Sequence, residues 1–116
     1  MFFVFVYGSL RSGESNHGQM AGARLVSAES VAQHAGLITY IEGYPGLVGG
    51  PGLSTVGEVY EVDSQHLARL DAFEECPDQY FRAPVRLMGG EEVEAYWASA
   101  TEGWARFDKQ RWPRSG

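Results

Sequence analysis

Residues 2 to 7, FFVFVY, form an unbroken apolar, aromatic and β-branched run, and Gly8 ends it. Such a run, closed by a turn residue, predicts a strand buried on both faces. From Gly8 to Gly18 the chain is rich in Gly, Ser and Asn, which predicts a loop with at most a short helix. Arg24 to Ile41 is irregular, and Val26, Val31, Leu37 and Ile38 point to one or two strands. The segment GYPGLVGGPG, Gly43 to Gly52, holds two Pro and five Gly and predicts a loop, because neither residue sustains a ladder. VGEVYEV, Val56 to Val62, alternates: Val56, Glu58, Tyr60 and Val62 share one face, and Gly57, Val59 and Glu61 the other. That period of two predicts a strand.

Asp63 or Ser64 then supplies an N-cap, and a helix is predicted to about Glu75, stopped by Pro77. Tyr80 to Leu87 and Glu91 to Ala98 read as two strands joined at Gly89-Gly90, a hairpin signal. No repeat or linker divides the chain, so its 116 residues are expected to form a single domain, 1–116. Strands dominate and helices are few, which favours an α+β fold on a curved or closed sheet over alternating strand–helix units.

Composition narrows the function. The net charge is −6, with nine basic residues, which argues against a nucleic-acid surface. The C-terminal basic group Lys109, Arg111 and Arg114 reads as a solvated tail. Cys76 is the only cysteine, which rules out an intrachain disulfide and a thiolate cluster. His17, His34 and His66 are too far apart for a metal-ligand spacing, so no metal is expected. The opening MFFVFVYG lacks a basic leader and is too short to span a membrane, and a cytoplasmic protein is expected.

The most informative position for chemistry is Glu74. Leu67, Leu70 and Phe73 define the apolar stripe of the predicted helix, and Glu74 follows Leu70 by four residues and Leu67 by seven. It therefore falls within the stripe, whereas Glu75 turns about 100° toward solvent. A carboxyl on the inner face has its pKa raised by desolvation toward the value a general acid/base needs. The alternative is a helix end frayed before Pro77, with Glu74 an ordinary exposed acid. Periodicity alone leaves both open.

Other chemistry is weaker. Cys76 with a histidine base lacks a local signature and reads as a small buried thiol. Ser9 in Tyr-Gly-Ser-Leu lacks the following glycine of a nucleophile elbow and reads as a turn residue or binding hydroxyl. Gly8 and Gly13 imitate the glycine spacing of a phosphate-binding loop, but Glu14 stands where that loop has its lysine and would repel phosphate.

VFVYGSLRSGESNH, with Tyr7-Gly8-Ser9-Leu10, Arg11, Gly13 and Asn16-His17, resembles the opening of the γ-glutamylcyclotransferase-like superfamily, in particular the γ-glutamylaminecyclotransferase type. GEVYEV at Gly57 to Val62, LDAFEECPDQYFR at Leu70 to Arg82, and the Tyr44-Pro45-Gly46 loop agree in order and spacing. The resemblance spans about residues 3 to 87 and thins after Leu87. It implies a small mixed β-barrel flanked by a few short helices. It also implies cofactor-free cyclisation of a small-molecule γ-glutamyl amine or peptide to 5-oxoproline with release of the amine. Glu74 matches the family's catalytic glutamate, and Tyr7, Gly8, Ser9, Leu10 and Tyr80 match its substrate-binding positions. A non-catalytic ligand-binding or interaction module on the same fold is the alternative. Neither the released amine nor the oligomeric state is set by the sequence.

Overall fold

The computed structural model describes residues 1–39, 45–99, 104–107 and 111. Six strands and one α-helix are defined: β1 (Phe2–Val6), β2 (Arg24–Thr39), β3 (Pro45–Val62), α1 (Ser64–Phe73), β4 (Tyr80–Arg86), β5 (Glu92–Ala98) and β6 (Ala105–Phe107). The sheet order is β4-β5-β1-β3-β2-β6. β1 lies centrally, antiparallel to β3 and parallel to β5. β4 and β5 form the expected hairpin, with Gly90 at φ 96° in its turn.

The central place of β1 explains its unbroken apolar sequence. Phe5 and Tyr7 point into one core cluster with Ala35, Leu37, Leu47, Val59 and Ala95. Val4 and Val6 point into a second cluster with Met20, Tyr60, Val62, Leu67 and Leu70, the last two from α1. The strand is thus covered on both faces, by the inner side of the curled sheet and by the helix. Burial of side chains of this size contributes about 1.5–3 kcal/mol each.

The sheet is mixed and strongly curled, in keeping with the α+β expectation, but it is not closed into a barrel. The C-terminal half of β3 pairs with β1, while Leu47 near its start pairs with Trp97 of β5. On the other side, β2 meets the turn after β4 through the isolated bridge Ala32–Leu87 and the bond from the Met88 N–H to the Val31 carbonyl, 2.8 Å. Contacts this sparse curl the sheet without completing a ladder.

One expectation fails outright. Gly43 to Gly52 is expected as loop; Gly43 and Tyr44 lie outside the described residues, but from Pro45 onward the segment belongs to β3 and pairs with β2 from Thr39–Pro45 through Ala35–Gly49. The ladder tolerates these residues because its register shifts between Gln33 and Ala35, opposite Gly50 to Leu53. Pro51 sits in that irregularity, where no ladder hydrogen bond is demanded, and Gly52 takes φ 77°. β2 is one long strand with register shifts, and Tyr40 and Ile41 lie outside the described residues. The described part of the C-terminal segment supplies β6, paired with β2. Arg111 ion-pairs with Glu29 at the surface, and Lys109 and Arg114 lie outside the described residues. Among the described residues no helix is long and apolar enough to cross a membrane.

Candidate active site

The helix that carries Glu74 starts and stops by local chemistry. Asp63 caps it, its carboxylate accepting from the His66 N–H at 2.7 Å. At the other end Glu74 is the C-cap and Glu75 takes the left-handed conformation, φ 55°. The Glu75 N–H donates to the Ala72 carbonyl at 3.1 Å and the Cys76 N–H to the Asp71 carbonyl at 3.0 Å. These are the two bonds of a Schellman motif, completed without the usual glycine. The ordered cap removes the frayed-end alternative. His66, Leu67 and Leu70 form the buried face. Phe73, expected in the stripe, is instead 36% exposed because the stripe drifts off the sheet at the last turn, where it borders a cavity.

That cavity, about 360 Å³, is where Glu74 lies. Tyr7, Gly8, Ser9, Leu10 and Tyr80 also line it, so every site residue named from the sequence falls in one place. Burial raises the Glu74 carboxyl to about 7. The same burial pushes the Tyr7 phenol well above its usual value, and the neighbouring Tyr80 and Glu74 add to the effect. Tyr7 is therefore a neutral hydrogen-bond donor at physiological pH.

The Gly8–Met20 loop is held as a rigid wall. The Arg11 N–H donates to the Gly8 carbonyl (3.1 Å) and the Asn16 N–H to the Ser9 carbonyl (2.9 Å). The Asn16 side-chain amide donates to Ser9 Oγ at 2.9 Å, and the His17 ring to the Leu10 carbonyl at 2.9 Å. From the sheet, Glu58 accepts from the Ser12 N–H at 2.8 Å and from the Tyr60 hydroxyl at 3.0 Å. Glu14, which argued against phosphate, is buried and faces Arg11 at 3.9 Å. These bonds engage the turn's carbonyls; among the described residues no acceptor meets the N–H groups of Ser9 and Leu10. Such N–H groups on a cavity wall are suited to a carboxylate or an oxyanion. Gly8 is required for a second reason: a Cβ there would lie 2.6 Å from Pro45 Cγ.

The cavity also contains residues that sequence reasoning did not assign to the site: Asn16, Pro45, Glu75, Gln79 and Tyr96. Asn16 stood in the motif that carried the resemblance, but no local signal distinguishes Tyr96 from any strand tyrosine. Its role comes from pairing across the fold. The Tyr7 hydroxyl donates to the Tyr96 carbonyl at 2.5 Å and the Tyr80 hydroxyl to the Pro45 carbonyl at 2.8 Å. Trp104 packs edge-on against Tyr80, ring centroids 6.5 Å apart, which gives the C-terminal segment a place behind the cavity wall. Cys76 is half-buried, and burial with the nearby carboxylates pushes its thiol up to about 11. It is thus not a thiolate at neutral pH, as a nucleophile must be.

Comparison with known proteins follows the same lines. A zebrafish (Danio rerio) protein named gamma-glutamylaminecyclotransferase A is 35% identical over 105 residues, 80% of this chain and 65% of its own length. A Vibrio cholerae protein named as a candidate gamma-glutamylcyclotransferase is 44% identical over 88 residues, 75% of this chain and 74% of its own. The chain thus spans roughly two-thirds to three-quarters of the length of these relatives. In structure, an AIG2-like protein from Mus musculus matches with a TM-score of 0.80 at 26% identity, covering 100% of this chain and 98% of that one. The family model described as gamma-glutamyl cyclotransferase, AIG2-like, matches residues 4–114, nearly the whole sequence, and the chain belongs to that family.

Proposed function

We propose that the protein is a gamma-glutamyl(amine) cyclotransferase that converts a γ-glutamyl amine or peptide to 5-oxoproline and a free amine. The observation that carries this reading is the Glu74 carboxyl, raised to about 7 by burial, in a cavity that the Tyr7–Leu10 turn also lines. In the substrate the α-amino nitrogen is the nucleophile and the γ-carbonyl carbon its target. At neutral pH that amine is an ammonium and cannot attack. Glu74 takes its proton; the nitrogen adds to the γ-carbon, and the carbonyl π electrons move onto oxygen. As the tetrahedral centre collapses, the oxygen's electron pair re-forms the carbonyl, the bond to the leaving nitrogen breaks and Glu74 returns a proton to that nitrogen. The ring nitrogen gives up its second proton to the released amine, which leaves as an ammonium. One carboxyl of near-neutral pKa serves as base and then acid.

The Ser9 and Leu10 N–H groups supply donors for the substrate carboxylate or the developing oxyanion without introducing a competing charge. Tyr7, Tyr80 and Tyr96 line the cavity in which the substrate chain must fold into an attacking conformer. No step calls for a cofactor. The names of the relatives agree with this reaction.

Incubation with a panel of γ-glutamyl amines and dipeptides, followed by assay of 5-oxoproline, tests the reading directly. Glu74→Gln, nearly isosteric, should keep the fold and lose about 10²–10⁴-fold in turnover, the usual share of a general acid/base. Full activity in that variant removes Glu74 from the mechanism. Wild-type protein that binds a γ-glutamyl amine without releasing 5-oxoproline is a binding module instead.

A further inference from the structure

Tyr96 touches both halves of the site. Its backbone carbonyl accepts the Tyr7 hydroxyl at 2.5 Å, beside the binding turn. Its own hydroxyl donates to Asp71 Oδ1 at 2.7 Å. Asp71 lies one helical turn before Glu74, and its backbone carbonyl accepts the Cys76 N–H of the helix cap. The Asp71 carboxylate is held from the other side by Arg82 of β4, through Nε at 2.8 Å and Nη2 at 3.2 Å. Arg82 in turn pairs with Glu94 of β5. The last turn of α1 is therefore tied to the β4–β5 hairpin by charged and hydrogen-bonded groups, because Phe73 makes no full apolar anchor there.

We propose that Tyr96 and Asp71 form a positioning pair that fixes the distance between the Glu74 carboxyl and the Tyr7–Leu10 turn. The inference rests on the reading of Glu74 as the acid/base. Asp71 does not line the cavity and acts only through the helix end; Tyr96 couples that end to Tyr7. The network is half-buried, and it favours one arrangement because each member leaves the others less well satisfied if it moves. Misplacement of a reacting group by about 1 Å costs up to ~10²-fold in rate.

Tyr96→Phe removes the hydroxyl and keeps both the ring and the carbonyl that binds Tyr7. Its kcat should fall about 10- to 100-fold while KM for the γ-glutamyl substrate stays within about twofold. Asp71→Asn should show the same split. The double variant should be no worse than the poorer single one, since the two residues form one unit. Losses that multiply, or a changed KM with unchanged kcat, overturn the pairing. A second readout needs no turnover: titration of the Glu74 side-chain carboxyl by carbon-13 NMR in wild type and Tyr96→Phe. Among the described residues, the other titratable groups on or beside the cavity are Tyr7 just past β1, Tyr80 of β4, and Glu75, Cys76 and Asp71 around the helix end. The substitution removes none of these groups, so its effect on Glu74 comes through the loosened helix end, which lets water reach the carboxyl, and the titration should move down by about one pH unit. An unmoved titration with unchanged kcat refutes the proposal. If wild type forms no 5-oxoproline, the enzymatic reading falls, and the titration alone decides whether Tyr96 holds Glu74.

Discussion

The hydroxyl of Tyr7, just past β1, donates at 2.5 Å to the carbonyl of Tyr96 in the parallel neighbour β5, 89 positions along the chain. The bond is buried, and Tyr7 is 6% exposed. Tyr7→Phe leaves that carbonyl without its side-chain donor and should cost about 1–2 kcal/mol, visible as a fall of several degrees in Tm. Thermal denaturation checks this; an unchanged Tm means that the bond is offset elsewhere.

Glu74 ionises near pH 7 in the folded chain against an ordinary 4.5. Between those values the folded state keeps a proton that the unfolded state has released. The associated stability is complete below about pH 4.5 and is lost as pH rises through 7, on the order of 2–3 kcal/mol. Glu74→Gln abolishes this component, so the difference between wild-type and variant stability should change across pH 4.5–7 and be flat above about 8. Denaturant melts at several pH values measure it. On the proposed mechanism the base is the ionised form of Glu74, so wild-type kcat/KM should rise with pH through a midpoint near 7 while stability declines over the same interval.

Gly8→Ala places a Cβ 2.6 Å from Pro45 Cγ, against a strand whose Pro45 carbonyl also binds Tyr80. The wall of the cavity must shift, at a cost of about 1–3 kcal/mol. Loss of Tm with a raised KM is the expected pattern. A variant with wild-type Tm and KM contradicts so close an approach.

Glu75 holds φ 55° at the position where a Schellman cap favours glycine. Glu75→Gly should therefore stabilise the fold, by about 0.5–1 kcal/mol, with a small rise in Tm. A fall in Tm shows that the Glu75 side chain contributes more than its backbone costs.

The turn at Gly8, the cap at Asp63 and the hairpin at Gly90 were legible from spacing, and spacing made Glu74 an inward candidate that the ordered cap then fixed. Each depends on residues within a few positions of one another, and local sterics decide them. Gly43 to Gly52 misled because a strand's tolerance for Pro and Gly depends on whether its partner bulges, and the partner is β2, several residues back along a long hairpin. Phe73 misled for a related reason: a helical stripe says which side residues share, not where the covering sheet ends.

The sequence by itself determined the first strand, the helix with its cap, the final hairpin and the family resemblance, since these follow from periodicity, capping and motif order, and it made Glu74 the candidate acid on the inner helix face. Only the tertiary structure decided that Tyr96, Gln79 and Asn16 join Glu74 around one cavity, and that Trp104 backs Tyr80. It also decided how strongly Glu74 is perturbed, because desolvation is set by what covers a group, and the Tyr7–Leu10 turn that shares its cavity comes from the far end of the chain.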